Sequence, residues 1–220
     1  MKRKINWKNI SILLFIVSII YIILIKTVDV SNIGPNDSKV GFATINNLFH
    51  TWFPKNDGWY KATKYLGIIP FILVAYYGLI GLKQLIKTKN INKVDKKIIL
   101  LGIFYILVGV NYLFFEKVII NFRPVLMDGE LEASFPSSHT MLAICVCASS
   151  MLISKYYIKS KKANDLVTMG TGSLMIILVI GRILSGVHWI TDIIGGILIS
   201  AFLVSLFYVS IKNIKESKNT

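Results

Sequence analysis

Three short stretches carry residues able to manage phosphate and protons in a chain that is otherwise strongly apolar. The first holds Arg123 and Pro124, the second reads Pro136, Ser137, Ser138 and His139, and the third is GRILSGVHWITD with Arg182, His188 and Asp192. Three residues separate His188 from Asp192, so on a helix the two share a face about one turn apart. A carboxylate accepting from one imidazole nitrogen fixes the tautomer and leaves the other nitrogen as nucleophile or base. The same spacing suits a metal ion, or a structural pair satisfying itself at a membrane boundary. Taken alone, the pair leaves all three readings open. Proline followed by serine ahead of an apolar run marks a helix start, with Ser137 or Ser138 placed to cap it. Unpaired N–H groups and the positive end of the helix dipole there suit a phosphate, and His139 adjoins them. Capping alone accounts for the serines.

These residues need elements to hold them, and the composition says what kind. With 54% hydrophobic and 16% charged residues among 220, the chain reads as one integral membrane domain, residues 1–220, rather than a soluble protein. A bilayer core about 30 Å thick needs roughly 20 mostly apolar residues per helix. Six stretches meet that standard: residues 10–25, 65–82, 98–115, 139–158, 166–184 and 190–211. The expected fold is therefore all-α, a six-helix transmembrane bundle. The first stretch follows a basic leader, but no small-x-small cleavage pattern succeeds it, so it reads as an anchor.

Charge orients the bundle. Seventeen of the 25 Lys and Arg residues fall in the N-terminal arm, in KQLIKTKNINKVDKK, in KYYIKSKK and in the tail after Ile211. The positive-inside bias then puts both termini and those two connections in the cytoplasm, with the three polar stretches outside. A basic face against anionic headgroups explains the net charge of +14 without nucleic acid. The long outer connection, residues 26–64, carries Phe42, Phe49, Trp52, Phe53, Trp59 and Tyr60. It suits either an amphipathic segment lying in the interface or a partly folded loop packed on the bundle. Cys145 and Cys147 are two apart on a helix and cannot pair with each other, so they read as small lipid-facing or core residues. Asp128, Glu130 and Glu132 read as a solvated loop.

Together the three stretches resemble the signature of the type 2 phosphatidic acid phosphatase superfamily, the integral membrane lipid phosphate phosphatases. The matching residues are Lys117 with Arg123 and Pro124, then PSSH at 136–139, then Arg182, His188 and Asp192. There are three departures. Five residues separate Lys117 from Arg123 where the family has six, so Glu116 takes the matching helical face. Ser138 stands for a glycine, and Gly181 for a common serine.

The resemblance implies a mechanism. His188 attacks phosphorus to give a phosphohistidine, Asp192 orients its imidazole, and His139 protonates the leaving oxygen and then activates water. Arg123, Arg182, Ser137, Ser138 and Lys117 would surround the phosphate oxygens. That scheme calls for no metal and no cofactor. The implied partner is a lipid phosphate on the outer leaflet of a bacterial cell membrane, with undecaprenyl pyrophosphate first and phosphatidylglycerophosphate or phosphatidate next. A non-catalytic protein that binds or moves an anionic lipid is the reading from another class; it would not require two histidines with an aspartate.

Overall fold

A computed structural model of the chain describes residues 6–216. Among the described residues there are eight α-helices, three short 3-10 turns and no strand beyond isolated bridges. The helices are α1 (Trp7–Thr27), α2 (Ala43–Trp52), α3 (Asp57–Leu66), α4 (Ile68–Thr88), α5 (Lys96–Lys117), α6 (Ser138–Ile153), α7 (Lys161–Leu184) and α8 (Ile190–Glu216). Among the described residues six spans are long and apolar enough to cross a bilayer. The chain is thus the all-helical, six-span protein its composition predicts. Lys2, Arg3, Lys4 and Lys218, part of the charge count that orients it, lie outside the described residues.

The helices run past their apolar stretches because polar caps lie further out. The Asn6 side chain accepts from Lys8 N before α1, Asp95 from Lys97 N before α5, and Ser160 from Ala163 N before α7. Hence α7 starts at Lys161 rather than 166. Residues 26–64 are not an open loop: α2 packs on α8, and α3 packs on α7. Gly67 keeps a right-handed helical conformation, so α3 runs into α4 as a single 32-residue span, Asp57–Thr88.

Lipid tails supply no hydrophobic drive between helices, so spans associate through close packing of small side chains. Buried Ala143, Cys147 and Ser150 give α6 that surface, and it packs against α4, α5, α7 and α8. Both cysteines are free and fully buried, which makes them core rather than lipid-facing. On the other side of the bundle Phe104 of α5 stacks on Phe207 of α8 at 4.7 Å. The two basic connections meet where the Tyr157 hydroxyl donates to Asp95 Oδ2 at 2.9 Å. At the opposite helix ends, Ser137 N donates to the Asp192 carbonyl at 3.0 Å. That bond joins the start of α6 to the start of α8 and brings the second and third polar stretches together.

Candidate active site

His188 lies in the turn between α7 and α8, and Asp192 lies in the first turn of α8. The expected contact between them is replaced by a third side chain. Ser134 Oγ sits 3.0 Å from His188 Nδ1 and 2.6 Å from Asp192 Oδ2. Asp192 is fully buried and accepts two further bonds, from Trp189 N at 3.0 Å and from Asn121 Nδ2 at 3.2 Å. Its oxygens are occupied by these three donors, so the direct imidazole–carboxylate pair anticipated from the spacing gives way to a bridged one.

Ser134 and Asn121 are held at the two arms of a hairpin. Ser134 N donates to Asn121 O, Arg123 N to Glu132 O, and Met127 and Glu130 exchange backbone bonds across the tip. Asp128 and Gly129 take φ of 50° and 86° at that tip, as a two-residue type I′ turn requires. The acidic stretch read as a solvated loop is therefore this hairpin. It also positions Arg123, whose Nη1 approaches His188 Nε2 at 3.3 Å and the Val187 carbonyl at 3.4 Å. Arg123 Nε stands 2.9 Å from Glu132 Oε2, an ion pair rather than an aligned hydrogen bond. The tip dipeptide Asp-Gly is in the sequence, but Glu130 follows it directly and the flanks do not alternate as strands would.

Arg182 is the largest fully buried side chain. Its Nη1 donates to Thr63 Oγ1 at 3.3 Å, and its guanidinium lies 5.6 Å from the centre of the Tyr60 ring. Nε and Nη2 are buried without a hydrogen-bond partner. Among the described residues no carboxylate pairs with it. Gly181 explains how α3 comes this close: a Cβ there would stand 2.5 Å from Thr63 Cγ2. A serine at 181 would require Thr63 to shift, while Thr63 from another helix sets its own hydroxyl against Arg182.

Burial, then the positive charges of Arg123, Arg182 and His139, push His188 well below its ordinary value of 6.5. Both effects favour the neutral imidazole over the imidazolium.

His139 is on the first turn of α6. With Ser138 it borders a cavity of about 430 Å³ between α4, α5 and α6, walled by apolar residues such as Phe71, Val74, Val108, Leu142 and Val146. A smaller pocket lined by Glu116, Arg123, Ser134 and His188 shares Tyr112, Ser138 and Met141 with that cavity. His139 Nδ1 and Ser137 Oγ are buried and unpartnered. Ser137 occupies the cap position, yet its side chain makes no capping bond, and Ser138 already belongs to the helix. The serines are thus not there to cap.

Lys117 is the residue the fold does not bring in. It ends α5 in an exposed position and lines neither pocket, whereas Glu116 lines the smaller one. The five-residue spacing turns lysine off the face that glutamate occupies. The structure also gathers Ser134, Asn121 and Thr63, which sequence reasoning missed. Neutral polar residues carry no signal of their own, although Ser134 lies two residues before Pro136.

Comparison with known proteins bears on the family and the fold. A model of the PAP2 superfamily matches residues 41–216. Phosphatidylglycerophosphatase B of Bacillus subtilis (strain 168) is 31% identical over 105 residues, 46% of this chain and 51% of that protein. The chain thus matches about half the length of that curated relative. A crystal structure described as the first transmembrane PAP2 type phosphatidylglycerolphosphate phosphatase, from Bacillus subtilis, has the same fold. It superposes with a TM-score of 0.62 over 93% of this chain and 96% of that one, at 20% identity.

Proposed function

Because the chain belongs to the PAP2 superfamily, we propose that it hydrolyses a lipid phosphate at the outer membrane surface through a phosphohistidine. The observation that carries this reading is Arg182: a fully buried cation with Nε and Nη2 unpartnered and, among the described residues, no carboxylate paired with it. A buried unpaired charge is costly, and a phosphate supplies both the counter-charge and the acceptors.

The chemistry follows from the positions of the residues. His188 Nε2 attacks phosphorus, its N–P bond forming as the bond to the lipid oxygen breaks. Arg123 donates to the phosphate oxygens from the same side, displacing its 3.3 Å contact with Nε2. His139 gives its proton to the leaving oxygen, then takes one from the water that attacks the phosphoenzyme and frees His188. Arg182, the Ser137 hydroxyl and the N–H groups opening α6 complete the donors around developing charge. Asp192 stabilises the imidazolium from behind. The apolar cavity beside His139 accommodates the lipid chain.

The name of the Bacillus subtilis relative favours phosphatidylglycerophosphate as substrate. Undecaprenyl pyrophosphate is the second reading, supported by the lysine and arginine bias that puts the site on the outer leaflet, with both termini cytoplasmic. Purified protein in detergent should release phosphate from one of these lipids, tested side by side with phosphatidate. His188→Ala should abolish release while thermal unfolding stays within a few degrees of wild type. Unchanged turnover in that variant overturns the nucleophile assignment, and binding without release from any of the three lipids overturns the enzymatic reading.

A further inference from the structure

We propose that Ser134 is a positioning residue that fixes the tautomer of His188 and conveys to it the charge of Asp192. The proposal rests on the reading of His188 as nucleophile and adds a residue which that reading does not contain.

The protons available to Ser134 and Asp192 fix the direction of both bonds. A serine hydroxyl has a single proton and can donate it once. Asp192 is acceptor-only as a carboxylate, and at 2.6 Å its Oδ2 takes that proton. Towards His188, Ser134 Oγ is then left with lone pairs alone. The 3.0 Å contact is therefore a bond donated by His188 Nδ1–H. Nδ1 carries the ring proton, and the lone pair belongs to Nε2, the nitrogen that faces Arg123 at 3.3 Å.

Arg123 Nη1, which can only donate, requires the same tautomer from the other side of the ring, and the Ser134 backbone also bonds to the imidazole; the Ser134 hydroxyl alone links the ring to Asp192. Asp192 Oδ2 already accepts from Trp189 N, and Oδ1 accepts from Asn121. Both serine and aspartate are buried, so water does not compete for the chain. When the Nε2–P bond forms, the ring becomes cationic and its Nδ1–H more acidic. The bond to Ser134 shortens and the hydroxyl leans further on Asp192. No proton needs to leave the ring, and the carboxylate acts through a polarised hydroxyl rather than by contact. The hairpin supplies the geometry: Ser134 N donates to Asn121 O, so the two arms that hold Asp192 are themselves joined.

The test is a kinetic comparison of Ser134→Ala, Ser134→Thr, Asp192→Asn and the Ser134→Ala, Asp192→Asn double variant. It uses full-length protein in detergent with a short-chain phosphatidate as probe, and His188→Ala in parallel. Ser134→Ala should lower kcat on the order of a hundredfold with KM within about twofold, because orientation is lost rather than ground-state binding. The acid limb of its kcat/KM profile should move to lower pH, since the imidazolium loses an acceptor. Ser134→Thr keeps the hydroxyl and should recover most of the rate. The double variant should be no slower than Asp192→Asn alone, as members of one chain must be.

Folding is read separately by size-exclusion profile and thermal unfolding, and formation of acid-quenched phosphoenzyme by Ser134→Ala should slow with kcat. Wild-type kcat in Ser134→Ala overturns the proposal. So do independent, multiplying losses in the double variant, or a folded Ser134→Thr as slow as the alanine. If His188→Ala itself turns over normally, the nucleophile reading has failed instead.

Discussion

Arg182 holds a full charge with no exposed surface, and the residue before it decides what can stand opposite. Gly181 leaves room for α3, so the Thr63 hydroxyl reaches the guanidinium from a neighbouring helix. Serine at 181 is the common residue in the resembling family, yet here its Cβ meets Thr63. Gly181→Ser should therefore lower stability by about 1–3 kcal/mol and reduce turnover. Adding Thr63→Ser, which removes the Cγ2 atom and keeps a hydroxyl, should restore most of both. Thermal unfolding and phosphate release measure the two effects, and a single variant with unchanged stability would show that α3 yields freely. At this scale the sequence reads well for charge and badly for neutral groups. Arg123, His139, Arg182, His188 and Asp192 stand out because charge or imidazole in an apolar chain is costly to keep. Ser134, Asn121 and Thr63 are types found throughout the chain, and only the fold reveals that they touch charged residues.

The hairpin joining α5 to α6 is the element on which the site most depends. It brings Arg123 to one ring nitrogen of His188 and Ser134 to the other, and Asn121 to Asp192. Its register is set by the Asp128–Gly129 tip, where the positive φ of 86° at Gly129 suits glycine. Gly129→Val should strain that tip, loosen the arms and depress kcat at least tenfold, because small displacements of catalytic groups are expensive. Helical content by circular dichroism should not change. A variant with full activity would mean that α5 and α6 hold the arms without help from the turn. The long helices were legible because a bilayer demands continuous apolar length. The hairpin was not, since its arms lack clean alternation and its glutamates resemble a solvated loop. The second span was legible only below Tyr65, because polar, partly exposed α3 precedes it.

For the molecule as a whole, six spans and their order followed from hydropathy, while the way residues 26–64 fold back did not. Their aromatics fit an interfacial segment, and Trp52 and Trp59 are indeed exposed. What ties them down is polar: Asn46 is fully buried and exchanges hydrogen bonds with Thr191, next to Asp192. The continuity of α3 with α4 has a mechanical consequence. This helical rod carries Thr63, which touches Arg182, near one end, and Phe71 and Val74, which wall the apolar cavity, further along. Spanning helices tilt when the bilayer around them is thinner or thicker than their apolar length, at a cost of fractions of a kcal/mol per Å. If Arg182 holds phosphate as proposed, tilt of this rod would shift that grip, and turnover would then depend on the thickness of the surrounding bilayer. In phosphatidylcholine bilayers of increasing chain length, turnover should pass through a maximum that Thr63→Val flattens; a profile independent of thickness would mean that the rod bends at Gly67 and carries no such signal.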